Sequence, residues 1–175
     1  MSSSPQSPLP PVRRVVTGHN SAGKSTVIAD TAQQARLATS VNPVYDLHYT
    51  GESPAVIDTE ISKGKWVDEV TQHPELVSGS GSTFRCWDLP PGDVSPLHRT
   101  VTLDYAIISR GTVTLELEEG ERVTLKAGDT VIQRGTMHTW RNETTEWAQV
   151  YFVMLGAKPI EIGGKSLTEE FHEAK

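Results

Sequence analysis

The chain has 175 residues, 36% of them hydrophobic, a formal net charge of -6 and a single cysteine, Cys86. That length and apolar content suit one domain with one modest core, and the acidic balance argues against nucleic acid or an anionic membrane as the main partner. One cysteine excludes an intrachain disulfide and fits a reducing compartment, so a cytoplasmic location is expected.

Residues 1–11, MSSSPQSPLPP, are Ser/Pro-rich, offer nothing to bury and read as a disordered tail. They also lack the apolar core of a signal peptide. No apolar run approaches the roughly 20 residues that a membrane-spanning helix needs. Residues 12–77 are weakly patterned, with extended candidates at 13–17, 25–29 and 44–49 and a short helical patch at 31–38. This region is expected to pack on the domain that follows.

Between the first two candidates lies GHNSAGKST, a full match to the nucleotide-binding pattern G-x-x-x-x-G-K-[ST] at Gly18, Gly23, Lys24 and Ser25. A working phosphate loop needs a buried parallel strand before it and a helix after it. Here VRRVV is too charged for such a strand, and Thr26, Val27 and Ile28 are β-branched where the helix would start. The stretch is therefore read as a polar turn between extended segments, with no nucleotide bound.

After the SGSGS hinge the texture changes. Segments 83–89, 97–109, 112–118, 122–126, 130–134, 137–141 and 146–155 are rich in Val, Ile, Thr and aromatics and read as strands. EEGE at 118–121 is a hairpin turn. Strand upon strand with short turns predicts an all-β antiparallel fold, with the barrel itself at 78–160. Residues 161–175 close the chain, where Ser166 and Glu169 form a capping-box pattern that predicts a short C-terminal helix.

In a strand, residues two apart share a face. His98, Thr100, Thr102 and Asp104 thus form one polar stripe, and His138, Trp140 and Asn142 another. Two imidazoles and a carboxylate meeting in a barrel mouth make a ligand site. They suit a divalent transition metal with open positions. Without metal, His98 paired with Asp104 would have a raised pKa and act as a general acid/base. Arg85 and Trp87 share parity on the preceding strand and join Thr100, Thr102 and Trp140 as candidate substrate contacts. The opposite face, Val101, Leu103 and Tyr105, is apolar and needs cover, either from residues 12–77 or from a second subunit in a homodimer.

Two motifs carry a family resemblance. Gly92, His98, Thr100, Asp104 and Gly111 follow the spacing G-x5-H-x-H-x3-E-x6-G, with Thr for the second His and Asp for Glu. Gly128, Gly135, His138 and Asn142 follow G-x5-P-x-G-x2-H-x3-N, one residue short between the glycines and lacking the proline. The chain resembles the cupins, and in particular the stand-alone cupins of secondary-metabolite pathways. The resemblance implies an antiparallel double-stranded β-helix (jelly-roll) barrel, extended N-terminal strands and a homodimer. It also implies one divalent metal (Fe, Mn, Ni or Zn) held by His98, Asp104 and His138, or a metal-free site with these three as catalytic residues.

The implied activity is a lyase, dehydratase, decarboxylase or isomerase step on a polyketide-like or aromatic intermediate. The alternatives are an Fe(II)-dependent dioxygenase and a ligand-binding protein without turnover. A small-molecule substrate is the expected partner, with no nucleic acid, membrane or ATP.

Overall fold

Along residues 102–108 buried and exposed side chains alternate without a break, from Thr102 inward and Leu103 outward to Ile108 inward. This is the period-two pattern of a strand with one face in a core. The same logic runs through most of the chain. The structure, a computed structural model, describes residues 7–36, 42–57, 66–73, 75 and 77–172. Its first strands are β1 (Arg13–His19), β2 (Ser25–Ala32), β3 (Val44–Thr50), β4 (Ser82–Leu89), β5 (Leu97–Arg99), β6 (Thr102–Arg110) and β7 (Thr112–Leu117). There follow β8 (Arg122–Lys126), β9 (Thr130–Arg134), β10 (His138–Arg141), β11 (Ala148–Gly156), β12 (Ile160–Ile162), β13 (Lys165–Leu167) and β14 (Glu170–His172). A 3-10 turn, Glu69–Gln72, lies between β3 and β4.

Two antiparallel five-stranded sheets face each other, in the orders β14-β5-β10-β7-β8 and β3-β4-β11-β6-β9. Their inner faces meet in a core of Leu89, Ala106, Ile108, Val113, Leu115, Leu125, Trp140, Ala148 and Val150, drawn from both sheets. This is the all-β jelly roll that the strand pattern predicts. The segment expected as one strand at 97–109 is two. β5 belongs to one sheet and β6 to the other, and the break at Thr100–Val101 lets the chain change sheets.

Turns between strands need left-handed backbone, which glycine adopts without strain. Gly111, between β6 and β7, has φ 72°, and a Cβ there would lie 2.8 Å from the Trp147 carbonyl oxygen.

The outer face of the β3-β4-β11 half is covered. Val12, Leu47 and Cys86 are buried there, with Tyr45, Phe84 and Tyr151 against them. On the outer face of β6 and β9, Tyr105, Ile107 and Ile132 are exposed, with no cover from the other described residues. Among the described residues no helix is long and apolar enough to cross a membrane.

Two expectations near the termini are corrected. The C-terminal helix does not form. Gly163 and Gly164, with φ 58° and 77°, turn the chain so that β13 pairs back on β12, and β14 then docks along β5. These non-local pairings override a local cap pattern. The helical patch at 31–38 is likewise absent. Thr31 and Ala32 finish β2, paired with Arg14 and Arg13, residues 33–36 are irregular, and 37 and 38 lie outside the described residues. Of the expected tail, residues 1–6 lie outside the described residues, while the Ser7 hydroxyl donates to Asp88 Oδ2 at 2.7 Å.

GHNSAGKST is the β1–β2 hairpin turn. Asn20 Oδ1 accepts from the backbone N–H of both Ala22 and Lys24 at 3.0 Å, and a strand follows where a phosphate loop would need a helix.

Candidate functional site

Directly opposed residues of antiparallel strands project from the same face. Phe171 of β14 lies opposite His98 of β5, and His98 opposite His138 of β10. The three rings form a row: Phe171 stacks on His98 with centroids 5.4 Å apart, and His98 lies 4.3 Å from His138. On the facing sheet, Asp104 of β6 lies opposite Gln133 of β9 and Met154 of β11. The two rows look at each other across one end of the barrel and enclose a cavity of about 240 Å³.

Arg85, Trp87, Thr100, Trp140, Phe152 and Val44 also line this cavity. It therefore sets buried polar side chains, His138, Asp104 and Gln133, among aromatic and apolar walls.

The protonation pattern follows from the hydrogen bonds. His98 Nδ1 is 2.9 Å from the Pro96 carbonyl oxygen and His138 Nδ1 is 2.9 Å from that of Thr136. A carbonyl only accepts, so each Nδ1 carries the proton and each Nε2 is the basic nitrogen. Gln133 Nε2 lies 3.0 Å from His138 Nε2 and 3.1 Å from Asp104 Oδ2. Its amide thus donates one hydrogen to the imidazole and the other to the carboxylate. His98 Nε2 has no such partner.

Burial pushes the Asp104 carboxyl up to about 6, against the pull of hydrogen bonds from Thr102 and Gln133. Burial, with His98 alongside, pushes His138 down to about 4. His98 is also lowered by burial, opposed by its bond to Pro96. For Asp104 and His138 the usual order of carboxyl and imidazole acidity is inverted, and both rings are neutral at neutral pH.

His98, Asp104, His138, Thr100, Trp140, Arg85 and Trp87 are brought together around one cavity, as the strand parities require. Two expectations change. His98 and Asp104 do not form a hydrogen-bonded pair, and the His98 pKa moves down rather than up. The two residues sit on different sheets, and Gln133 is the partner of Asp104. Thr102 points inward but is not on the cavity wall, and its hydroxyl is 2.6 Å from that of Thr100.

Asn142 is also outside the cavity. Its amide donates to the Leu89 and Glu146 carbonyls and clamps the end of β10. Arg85 lines the cavity, but its Nε lies 2.8 Å from Asp46 Oδ1, off the axis of a hydrogen bond, and its Nη2 donates to the Glu75 carbonyl.

Sequence reasoning missed Gln133, Phe152, Met154 and Phe171. Gln133 carried a signal, as a polar residue at inward parity between Ile132 and Arg134. Phe171 carried none, since its segment reads as helix.

The ligand set implied for a metal does not assemble here. Among the described residues no three His, Cys, Asp or Glu side chains are grouped to hold an ion. The Gln133 amide hydrogens stand between the His138 nitrogen and the Asp104 carboxylate, where a cation would need lone pairs. As arranged, these residues do not fit the metal.

Comparison with known proteins agrees with this architecture. The Cupin domain family model matches residues 85–154. Oryzines biosynthesis cluster protein J of Aspergillus oryzae is 34% identical over 100% of this chain and 99% of its own. The cupin-domain-containing oxidoreductase virC of Hypocrea virens is 34% identical over 89% of this chain and 82% of its own. A solved Cupin 2 conserved barrel domain protein from Salinispora arenicola aligns with 70% of this chain and 81% of its own, at 20% identity and a TM-score of 0.46. With both motifs at the ends of the strands that hold them, and relatives of this identity along nearly its whole length, the chain belongs to the cupin family, among the small cupins of secondary-metabolite pathways.

Proposed function

We propose that the protein is a biosynthetic enzyme that moves a proton on a small aromatic or polyketide-like intermediate, an isomerase or lyase step. The observation that carries the reading is the tautomer pattern. Both imidazoles are tied through Nδ1–H to their own main chain, and only His98 keeps a free basic Nε2 at an apolar cavity that also holds a buried carboxyl.

His98 Nε2 takes a proton from carbon next to a carbonyl, and the electron pair moves into the enolate. The enolate then recovers a proton at a second position, or expels a leaving group such as water. The imidazolium formed at His98 returns the proton at that position or gives it to the leaving group, which regenerates the base within the turnover. Trp140 Nε1–H, which has no partner in the protein, suits the enolate oxygen. The aromatic walls exclude water and orient a flat ring. Relatives named for biosynthesis clusters support the small-molecule role.

A second reading, oxidoreductase, rests on the names of relatives at 34% and 31% identity. It requires a redox group that the donor arrangement described above does not accommodate without moving Gln133.

The test is deuterium incorporation into 2-tetralone in D2O, followed by proton NMR. The protein is expected to accelerate exchange, and His98→Ala to lower that acceleration by about a hundredfold. Equal exchange with His98→Ala of unchanged fold would refute the reading.

A further inference from the structure

Among the described residues, four buried polar atoms of cavity-lining side chains lack a hydrogen-bond partner: Asp104 Oδ1, Gln133 Oε1, Trp140 Nε1 and Arg85 Nε, the last of which lies against Asp46. Asp104 is 3% exposed and Gln133 4%. Buried polar atoms of this kind are costly unless something satisfies them. Asp104 and Gln133 are cross-strand partners, so their two orphan oxygens belong to one edge of the cavity. Both are acceptors, because both Gln133 hydrogens are already given to His138 and Asp104. What satisfies them must bring hydrogens.

The charge balance points the same way. Arg85 is the cation of the lining, and it is engaged by Asp46 and the Glu75 carbonyl. Both imidazoles are neutral, so an incoming carboxylate would meet the Asp104 carboxylate with no free cation to offset it. The walls are Trp87, Trp140, Phe152 and Phe171, and about 240 Å³ suits one or two fused rings.

We infer that the cavity selects a neutral aromatic ligand bearing a hydroxyl, a phenol or enol that donates its one hydrogen to Asp104 Oδ1, at the edge shared with Gln133 Oε1, and rejects aromatic carboxylates. The inference rests on the site assigned above and names its substrate class, which narrows the polyketide-like or aromatic intermediate expected from the sequence.

The test is isothermal titration calorimetry of the full chain at about pH 7.5 with 2-naphthol, 2-methoxynaphthalene and 2-naphthoate, which share one ring system and differ in donor and charge. At that pH the naphthol is neutral and the naphthoate ionised. The naphthol is expected to bind at least about tenfold more tightly than either of the others. Asp104→Asn, nearly isosteric, keeps an oxygen for Gln133 and turns the orphan acceptor into a donor. It is expected to erase the naphthol preference and to strengthen naphthoate binding, with an unchanged circular dichroism spectrum confirming the fold.

Naphthoate binding as tight as naphthol, an unchanged ranking in folded Asp104→Asn, or no binding of any probe would each overturn the inference. The two readings fail separately. A naphthol preference without exchange of tetralone protons sinks proton transfer alone, and exchange without a naphthol preference sinks the ligand class alone.

Discussion

The Gln133 side chain donates to His138 Nε2 at 3.0 Å across the barrel, joining β9 of one sheet to β10 of the other. The second hydrogen of the same amide goes to Asp104 Oδ2. Because His138 Nδ1–H is also engaged, that ring has no nitrogen left for chemistry, and the basic role falls to His98.

Replacing Gln133 with Leu should therefore do two things. It leaves His138 Nε2 and Asp104 Oδ2 buried without this partner, which costs about 1–3 kcal/mol for each group. It also frees a second base, so the pH–rate profile should gain a second basic limb while its maximum falls. Urea denaturation and the pH dependence of tetralone exchange measure the two effects, and an unchanged profile would show that the amide only packs.

Asp104 gives a pH dependence whose sign can be worked out. Its folded pKa is raised to about 6 from 3.8. The folded state therefore binds the extra proton, and stability falls as pH rises through that window. The destabilisation is absent below about pH 4 and complete above about pH 6, where it reaches roughly 2–3 kcal/mol. Asp104→Asn should be more stable than the parent by up to that amount at pH 7.5, with the advantage vanishing near pH 4. His138, lowered to about 4, acts in the opposite sense and destabilises the fold as pH falls below about 6.5. Removing Asp104 should thus steepen the acid limb. Denaturation midpoints from pH 4 to 8 would reveal a flat difference if the carboxyl were unperturbed.

Phe171 is 53% exposed yet stacked on His98, so it serves as a wall more than as core. Phe171→Ala should cost less than about 1 kcal/mol of stability. KM should rise severalfold, with a smaller change in kcat, because an aromatic surface beside the base is lost and the cavity opens. A fall in kcat at constant KM would contradict a binding role.

Gly111→Ala combines a left-handed φ with a Cβ 2.8 Å from a carbonyl oxygen. A loss of about 2–4 kcal/mol is expected, measured by chemical denaturation. A neutral result would mean that the β6–β7 turn can rearrange.

The β1–β2 hairpin should not bind nucleotide. Millimolar ATP with magnesium is expected to leave the melting temperature unchanged. A shift lost in Lys24→Ala would restore the phosphate-loop reading.

Much of the molecule was legible from residue order. Strand period placed β4 and β7 through β11 within two residues, because a chain with one face in a core must alternate whatever lies beyond it. The same parity put His98 and Asp104 around one cavity with Arg85, Trp87 and Trp140, since each faces inward on its own strand, and Thr100 joins them from the break between β5 and β6. The β-branched residues after Lys24 identified a hairpin where a motif alone suggests a phosphate loop.

Parity says which way a side chain points, but not what it meets. That Asp104 meets Gln133 rather than His98 depends on which rows of the two sheets face each other, and packing over long sequence separation decides it. Phe171 became a neighbour of His98 because β14 found an open edge on β5, a pairing between residues 73 positions apart in the chain. The proton pattern of the site was decided there too: local sequence supplied the two imidazoles and the carboxyl, and burial between the sheets inverted the acidities of Asp104 and His138.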